Sequence, residues 1–306
     1  MIRFLGHRLL FSLITFFVIV TAVFFLLRAA PGGPFDGERS LTPEIEANLK
    51  AAYDLDAPLY TQYGRYLQRL SRGDFGPSFK QKDFSVGELI AVGLPVSATL
   101  GAGAIVLALA LGLIIGVAAG MNPHSWIDSA VMASNNFNLS VPTIVAAPIM
   151  VLIFSVTLSV FPAGGSDSAV HFVLPIVALA MPFSASIARL VRGGVNESMQ
   201  QPHIRTARSK GLSSARIVVR HVLPIALIPV VSYLAPAAAS LLTGSVVVEQ
   251  VFDLPGIGRY FVEGALNRDY TLVMGVTVVY AGAILLFNLL ADLCYGVLDP
   301  RIRVTE

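Results

Sequence analysis

The chain has 306 residues, of which 55% are hydrophobic and 13% charged, with a formal net charge of +2 and a mean hydropathy of +0.73. Soluble domains carry charges at about 25% of positions, so this composition argues against a soluble domain and for a membrane protein. The near-neutral balance gives no general attraction to nucleic acid, and the single cysteine, Cys294, can neither close an intrachain disulfide nor build a multi-ligand zinc site, leaving it a small packing residue.

Arg3 and Arg8 precede an apolar run over residues 9–27. A signal-peptide core is about 7–15 residues long, whereas this run is long enough to cross about 30 Å of hydrocarbon as a helix, so it reads as an uncleaved first span. Residues 29–94 follow, with seven basic and nine acidic side chains. Thr42 and Pro43 open a helix there, with Ile45, Leu49 and Tyr53 on one face. Asp56-Ala57-Pro58 opens a second, with Leu59, Tyr63, Tyr66 and Leu70 at helical spacing and Gly73 to stop it. Ser85-Val86-Gly87-Glu88 has capping-box spacing and leads towards the second span. The segment reads as a small helical lobe, either a spacer or a docking surface for an external partner.

Five more runs follow at 96–120, 127–160, 170–190, 223–248 and 272–297. They are continuously apolar rather than alternating, which favours helices over a barrel. Gly112, Gly116 and Gly120 recur at every fourth position of the second span, a signal for close helix packing. The third run is over-long and interrupted by Pro142 and Pro148. Its Asn135, Asn136 and Asn138 either contact a translocated solute or satisfy carbonyls freed by the prolines, and the second reading is preferred. In the sixth run Asn288 and Asp292 stand one turn apart, candidates for lining a path or for bonding between helices; a structural bond is preferred for Asp292. The expected fold is an all-α membrane protein of six transmembrane helices, with a helical lobe between the first two.

Orientation follows from lysine and arginine. The basic clusters are Arg3 with Arg8, then seven basic residues against one acid over 189–220, then Arg301 with Arg303. With six spans all three fall on one side, which places both termini in the cytoplasm and the lobe outside.

The densest of these clusters reads HIRTARSKGLSSARIVVRHVLP over 203–224. Residues 204–210 make about two helical turns. Gly211 suits a left-handed stop, Ser213 or Ser214 can cap a second helix, and Ile217, Val218 and Val222 form its apolar side. A plain topology signal and a lipid-surface helix are competing readings. Nucleic acid is disfavoured, because no aromatic residue is interleaved to stack on bases.

Thr206-Ala207-Arg208, Gly211 and the closing Val222-Leu223-Pro224 resemble the cytoplasmic coupling motif of ABC importer permeases, whose pattern is Glu-Ala-Ala, Gly, then Ile-x-Leu-Pro. Thr206 stands where that pattern has Glu, a form similar to the peptide branch. The resemblance continues through Arg28-Ala29-Ala30-Pro31-Gly32-Gly33-Pro34-Phe35, Gly73-Asp74-Phe75-Gly76-Pro77-Ser78-Phe79, Phe252-Asp253-Leu254-Pro255-Gly256-Ile257-Gly258 and Leu266-Asn267-Arg268-Asp269-Tyr270. By these motifs the chain is identified as a member of the B-type permease subunits of bacterial oligopeptide importers, whose sister subunits serve dipeptides, nickel and glutathione.

The resemblance implies a type I ABC importer permease fold in the bacterial inner membrane. An N-terminal span with its lobe would occupy 1–93, and a five-span core 94–303, with the coupling segment at 193–222. It implies ATPase contacts at Arg205, Thr206, Ala207, Arg208, Ser209, Lys210, Gly211, Leu212 and Arg216. An outer gate or binding-protein contact would comprise Phe252, Leu254, Pro255, Gly256, Ile257 and Gly258. The implied partners are a second, C-type permease, two cytoplasmic ATPases, an extracytoplasmic peptide-binding protein and membrane lipid. ATP and magnesium belong to the ATPases, since this sequence has no Gly-x-x-x-x-Gly-Lys-[Ser/Thr] loop. His-Glu-x-x-His and Gly-x-Ser-x-Gly are also missing from the sequence, and His7, His124, His171, His203 and His221 are scattered, so neither a metal site nor an enzyme is expected. An ion-coupled transporter would need buried charges along its spans, and only Asp292, with Asp128 and Glu249 at span ends, qualify. A sensor without a transport path is the remaining reading.

Overall fold

In a computed structural model of the chain, residues 2–30, 57–81 and 83–298 are described. The helix expected from Thr42, the segment Pro31 to Phe35, the tail at Arg301 and Arg303, and the side chains of Arg3 and Cys294 lie outside the described residues. What is described is helical: α1 (Ile2–Ala29), α2 (Leu59–Leu70), α3 (Val86–Met121), α4 (Trp126–Ser140), α5 (Thr143–Met150), α6 (Val173–Met199), α7 (Pro202–Ser209), α8 (Ser214–Ile217), α9 (Leu223–Ala226), α10 (Ile228–Val251), α11 (Ile257–Leu266) and α12 (Tyr270–Leu298). Four stretches are long and apolar enough to cross a membrane, Gly6–Ala29, Val86–Met121, Ala169–Met199 and Tyr270–Leu290, and two bent pairs bring the total to six if each is one span.

α1 buries Val20 and Phe24 and packs along α12, while Leu9, Phe11, Ile14, Phe17 and Leu26 on its other side stand exposed. A helix apolar all round is one whose surrounding medium is lipid. The described part of the lobe rests on its C-terminal half. Phe24 stacks on Tyr66 of α2 at 5.8 Å between ring centroids, and Tyr63 shares a 2.6 Å hydrogen bond with Thr21. The Arg28 guanidinium lies 5.4 Å from the centre of the Phe24 ring and 5.8 Å from that of Tyr270. Gly73, at φ 73°, turns the chain away after α2 as its spacing predicts.

The capping box at Ser85 is formed: its hydroxyl accepts from the Glu88 N–H at 3.2 Å, and its own N–H donates to the Glu88 carboxylate at 2.8 Å. From this cap α3 runs 36 residues without a break, crossing residues 93 and 94, so the lobe and the core share one helix. Its glycine ridge lies against α6. A Cβ at Gly116 would stand 2.7 Å from the Ala188 carbonyl oxygen, and one at Gly120 2.8 Å from the Val195 Cβ. The missing side chains let the two backbones approach, as the spacing predicts.

The third run does not form a straight crossing. It breaks between α4 and α5 with a bend of 102°. Val141, the residue before Pro142, is extended at φ −91°, ψ 112°, because a following proline disfavours the helical region. α5 then passes into a π-helical turn, Val151–Thr157. The fifth crossing is also composite: α8, a π turn over Val218–Val222, α9 and α10, bent by 49°. Pro224 has no N–H to give the Arg220 carbonyl, so the register slips there. One large apolar cluster unites α3, α6, the 204–222 segment and α10, and a smaller one joins the start of α3 to α11 and α12.

Candidate functional site

The 203–224 segment folds into an elbow. α7 begins at Pro202, where a missing N–H costs nothing. It ends in a Schellman turn: the Gly211 N–H donates to the Arg208 carbonyl at 2.9 Å and the Leu212 N–H to the Ala207 carbonyl at 3.3 Å, with Gly211 at φ 76°. Ser213 occupies the capping position of α8, but its hydroxyl makes no capping bond. The turn is held by the backbone instead, Ile217 N–H to the Ser213 carbonyl at 3.0 Å.

The elbow has two unlike faces. Ile204, Ala207, Ile217, Val218 and Val222 are buried, and all but Val218 belong to one cluster with Val191 and Val195 of α6 and Ala226 of α9. Arg205, Thr206, Arg208, Ser209, Lys210, Gly211, Arg216 and Arg220 are exposed. None of the five cations among them has an ion pair among the described residues. Of the residues expected to meet an ATPase, Ala207 and the half-buried Leu212 therefore face the bundle, and the others face out.

Two arginines of the same basic cluster are used inside the chain. Arg192 Nε and Nη2 grip both oxygens of Asp128, the Nη2–Oδ2 distance being 2.8 Å, and the His124 N–H adds a bond at 3.0 Å. This bidentate pair ties the start of α4 to the C-terminal half of α6. Arg189 donates to the Asn136 side-chain oxygen at 3.1 Å. Asn136 thus pairs with a neighbouring span rather than with carbonyls near Pro142. Asp292 is bound by Arg8 at 3.0 Å, a link between the C-terminal part of α12 and the N-terminal part of α1, while Asn288 is exposed.

On the other side, Phe252, Leu254, Gly256, Ile257 and Gly258 are buried and Pro255 is half-buried. These residues pack inward, leaving Asp253 as the exposed tip. The Gly165 N–H donates to the Phe252 carbonyl at 3.1 Å, so the loop before α6 leans on this one. A hydrogen bond from Arg259 to Glu263, with Asp253 close by, holds that guanidinium above its ordinary pKa. The residue that organises the loop is Glu249, which sequence reading had set aside as a span-end charge. Its buried carboxylate accepts from Ser97, Gly258 and Arg259. No local motif marks it, because Ser97 is 152 positions away. Among the described residues no group of His, Cys, Asp and Glu is placed to hold a metal ion.

Residues 88–304 match the binding-protein-dependent transport system inner membrane component family, and residues 1–100 match its N-terminal family. The chain is 47% identical to the oligopeptide transport system permease protein OppB of Haemophilus influenzae over 305 residues, covering 99% of this chain and all of that one. It is 47% identical to OppB of Escherichia coli K12 over the same share, and 42% identical to the dipeptide transport system permease protein DppB of Bacillus subtilis over 99% of both chains. Among solved structures, a chain of an amino acid ABC transporter matches with a TM-score of 0.53 at 19% identity, covering 67% of this chain and 92% of that one. A chain of the MetNI methionine ABC transporter matches with a TM-score of 0.52 at 22% identity, covering 69% and 96%. At these identities the solved structures speak for the fold alone. With its core and its N-terminal part both matched, the chain belongs to the binding-protein-dependent transport system inner membrane component family and is a multi-pass membrane permease.

Proposed function

We propose that this chain is one of two permease subunits of an ATP-driven oligopeptide importer. The observation that carries the reading is end-to-end similarity, 47% identity over 99% of the chain, to permeases named for oligopeptides. Dipeptide permeases match at 42% and 36%, which favours the longer substrate. A second, related permease completes the path, and an extracytoplasmic binding protein delivers peptide to the lobe and the 252–258 loop. Two cytoplasmic ATPases, holding ATP and magnesium, each grip a coupling elbow. Both termini and the 203–224 elbow lie in the cytoplasm, with 1–93 forming the first span and outer lobe and 94–303 the core.

The elbow suits this work physically. It is short, closed by a Schellman turn, rooted by apolar side chains in α6 and span five, and cationic on the free side. A push on that side moves the spans rather than bending a loop. Closure of the ATPases opens the outer side, and hydrolysis resets it. Selection of peptide rests with the binding protein, so the path itself is largely apolar and weakly selective.

The test is reconstitution of the chain with its second permease, ATPases and binding protein in proteoliposomes, with peptides of graded length. ATP-dependent uptake that needs all components is expected. Uptake by this chain alone without ATP would replace the reading with an ion-coupled transporter, and uptake by the other components without this chain would reduce it to an accessory part.

A further inference from the structure

Glu249 lies in the last turn of α10 and is fully buried. A carboxylate in that position is unfavourable unless its oxygens are satisfied, so its partners indicate its purpose. Oε1 accepts from the Ser97 hydroxyl at 2.7 Å. Oε2 accepts from the Gly258 and Arg259 N–H groups at 2.8 and 3.1 Å. The Ser97 oxygen in turn accepts from the Ile257 N–H at 3.0 Å. Ile257, Gly258 and Arg259 are the first residues of α11, whose opening amides have no partner within their own helix. Two side chains from other helices hold all three. The Arg259 guanidinium turns to Asp253 and Glu263 instead, and Glu249 has no ion pair among the described residues. Its charge is balanced by the N-terminal dipole of α11.

We infer that Glu249 is a positioning residue that welds the outer end of span five to α11, so that movement entering the span at the elbow leaves it as movement of the outer loop. The inference rests on the reading above, in which the elbow is pushed from the cytoplasm. The elbow and Glu249 stand at opposite ends of one composite span, α8 through α10. The loop between α10 and α11 has no slack. The Leu254 N–H donates to the Glu249 carbonyl at 2.9 Å, and a Cβ on Gly256 would stand 2.2 Å from Oε2. The welded piece meets α3 differently, through the Ser97 hydroxyl and a close approach at Gly93, where a Cβ would lie 2.9 Å from the Ile257 nitrogen. That hydroxyl bonds both Glu249 and Ile257, and Ile257 shares an apolar cluster with Val86, Leu89 and Ile90, so α3 is the seat on which the joint between α10 and α11 is held.

The experiment compares E249A, E249Q and G256A in the full transporter, with both permeases, both ATPases and the binding protein, in proteoliposomes. Two quantities are read: hydrogen exchange at the Gly258 and Arg259 amides, and ATP consumed per peptide imported. Glu249→Ala strips a buried and a half-buried amide of their acceptor, so their exchange should quicken about tenfold or more. ATP per peptide should rise by about the same factor with the KM for ATP unchanged. Glu249→Gln keeps an acceptor oxygen in place and should restore both quantities to within about threefold. If E249A does not assemble, G256A gives the answer, since its methyl wedges the carboxylate off α11 and should raise both quantities. Faster exchange with a normal ATP-to-peptide ratio, in either variant, overturns the inference. Unchanged exchange in E249A overturns the weld whatever is transported, whereas wild-type complex that imports no peptide overturns the functional reading and not the weld.

Discussion

Gly211 closes the elbow, and replacing it with valine tests the lever directly. At φ 76° it sits in the left-handed region, which costs an ordinary L-residue about 1–2 kcal/mol and a β-branched one at least the upper figure. No neighbouring heavy atom lies within 4 Å of a Cβ placed there, so the penalty is conformational rather than a clash. The turn escapes by giving up the Gly211 and Leu212 N–H bonds, each worth about 1 kcal/mol. At a penalty of about 2 kcal/mol the closed turn loses about thirtyfold in population against open alternatives. The roots of the elbow, Ile204, Ile217 and Val222, are untouched, so insertion and assembly should persist. In proteoliposomes G211V should assemble at wild-type levels and hydrolyse ATP, while peptide uptake falls about tenfold or more. Asparagine tolerates the left-handed region, so G211N should recover most of the uptake. Normal uptake by G211V would refute the lever, and G211N as impaired as G211V would show that backbone conformation is not the cause.

The bidentate Asp128–Arg192 pair is largely buried on the acid side, 6% exposed, and less so on the arginine, 29%. D128A should cost about 1.5–3 kcal/mol, seen as a lower Tm of the detergent-solubilised complex, and D128A/R192A should recover part of it; equal Tm values for wild type and D128A would remove the pair from the account. Gly116→Val puts a branched Cβ 2.7 Å from the Ala188 carbonyl oxygen, a backbone atom that cannot rotate aside. Overpacking of about 1–3 kcal/mol should show as a reduced yield of monodisperse protein on gel filtration, and an unchanged yield would mean that α3 and α6 can part freely. The Arg8–Asp292 pair is 50% and 20% exposed and is worth about 1 kcal/mol or less. D292N should therefore leave Tm within about 2 °C and uptake within about twofold; lost uptake at an unchanged Tm would place Asp292 in the path instead.

Features encoded by local spacing were legible from the residues. The Ser85 capping box, the Gly211 stop and the Gly112, Gly116, Gly120 ridge each depend on neighbours within a few positions or on one helical face. The six runs needed only hydropathy. The sharp turn at Pro142 was legible as an interruption but not as a 102° bend, because a proline fixes the residue before it and leaves the direction of the next helix to packing. Asn136 was read against its own prolines, and its partner Arg189 is 53 positions away. The same is true of the 252–258 loop. Its resemblance implied an outer gate or a binding-protein contact but not its burial, which follows from Glu249 and Ser97 drawing it in from helices far apart in the chain. Ser213 fits the sequence rule for a cap but its hydroxyl accepts no capping bond, and the turn is closed by one backbone bond instead.

The two faces of the elbow separate what the subunit must keep from what it is free to alter. Substitutions among its five outward cations break no ion pair among the described residues, whereas one methyl lost from Ile204 or Val222 leaves a hole in the bundle. Under the proposed function, a different ATPase would be accommodated by editing a surface of a few side chains, with the packing of the bundle inherited intact.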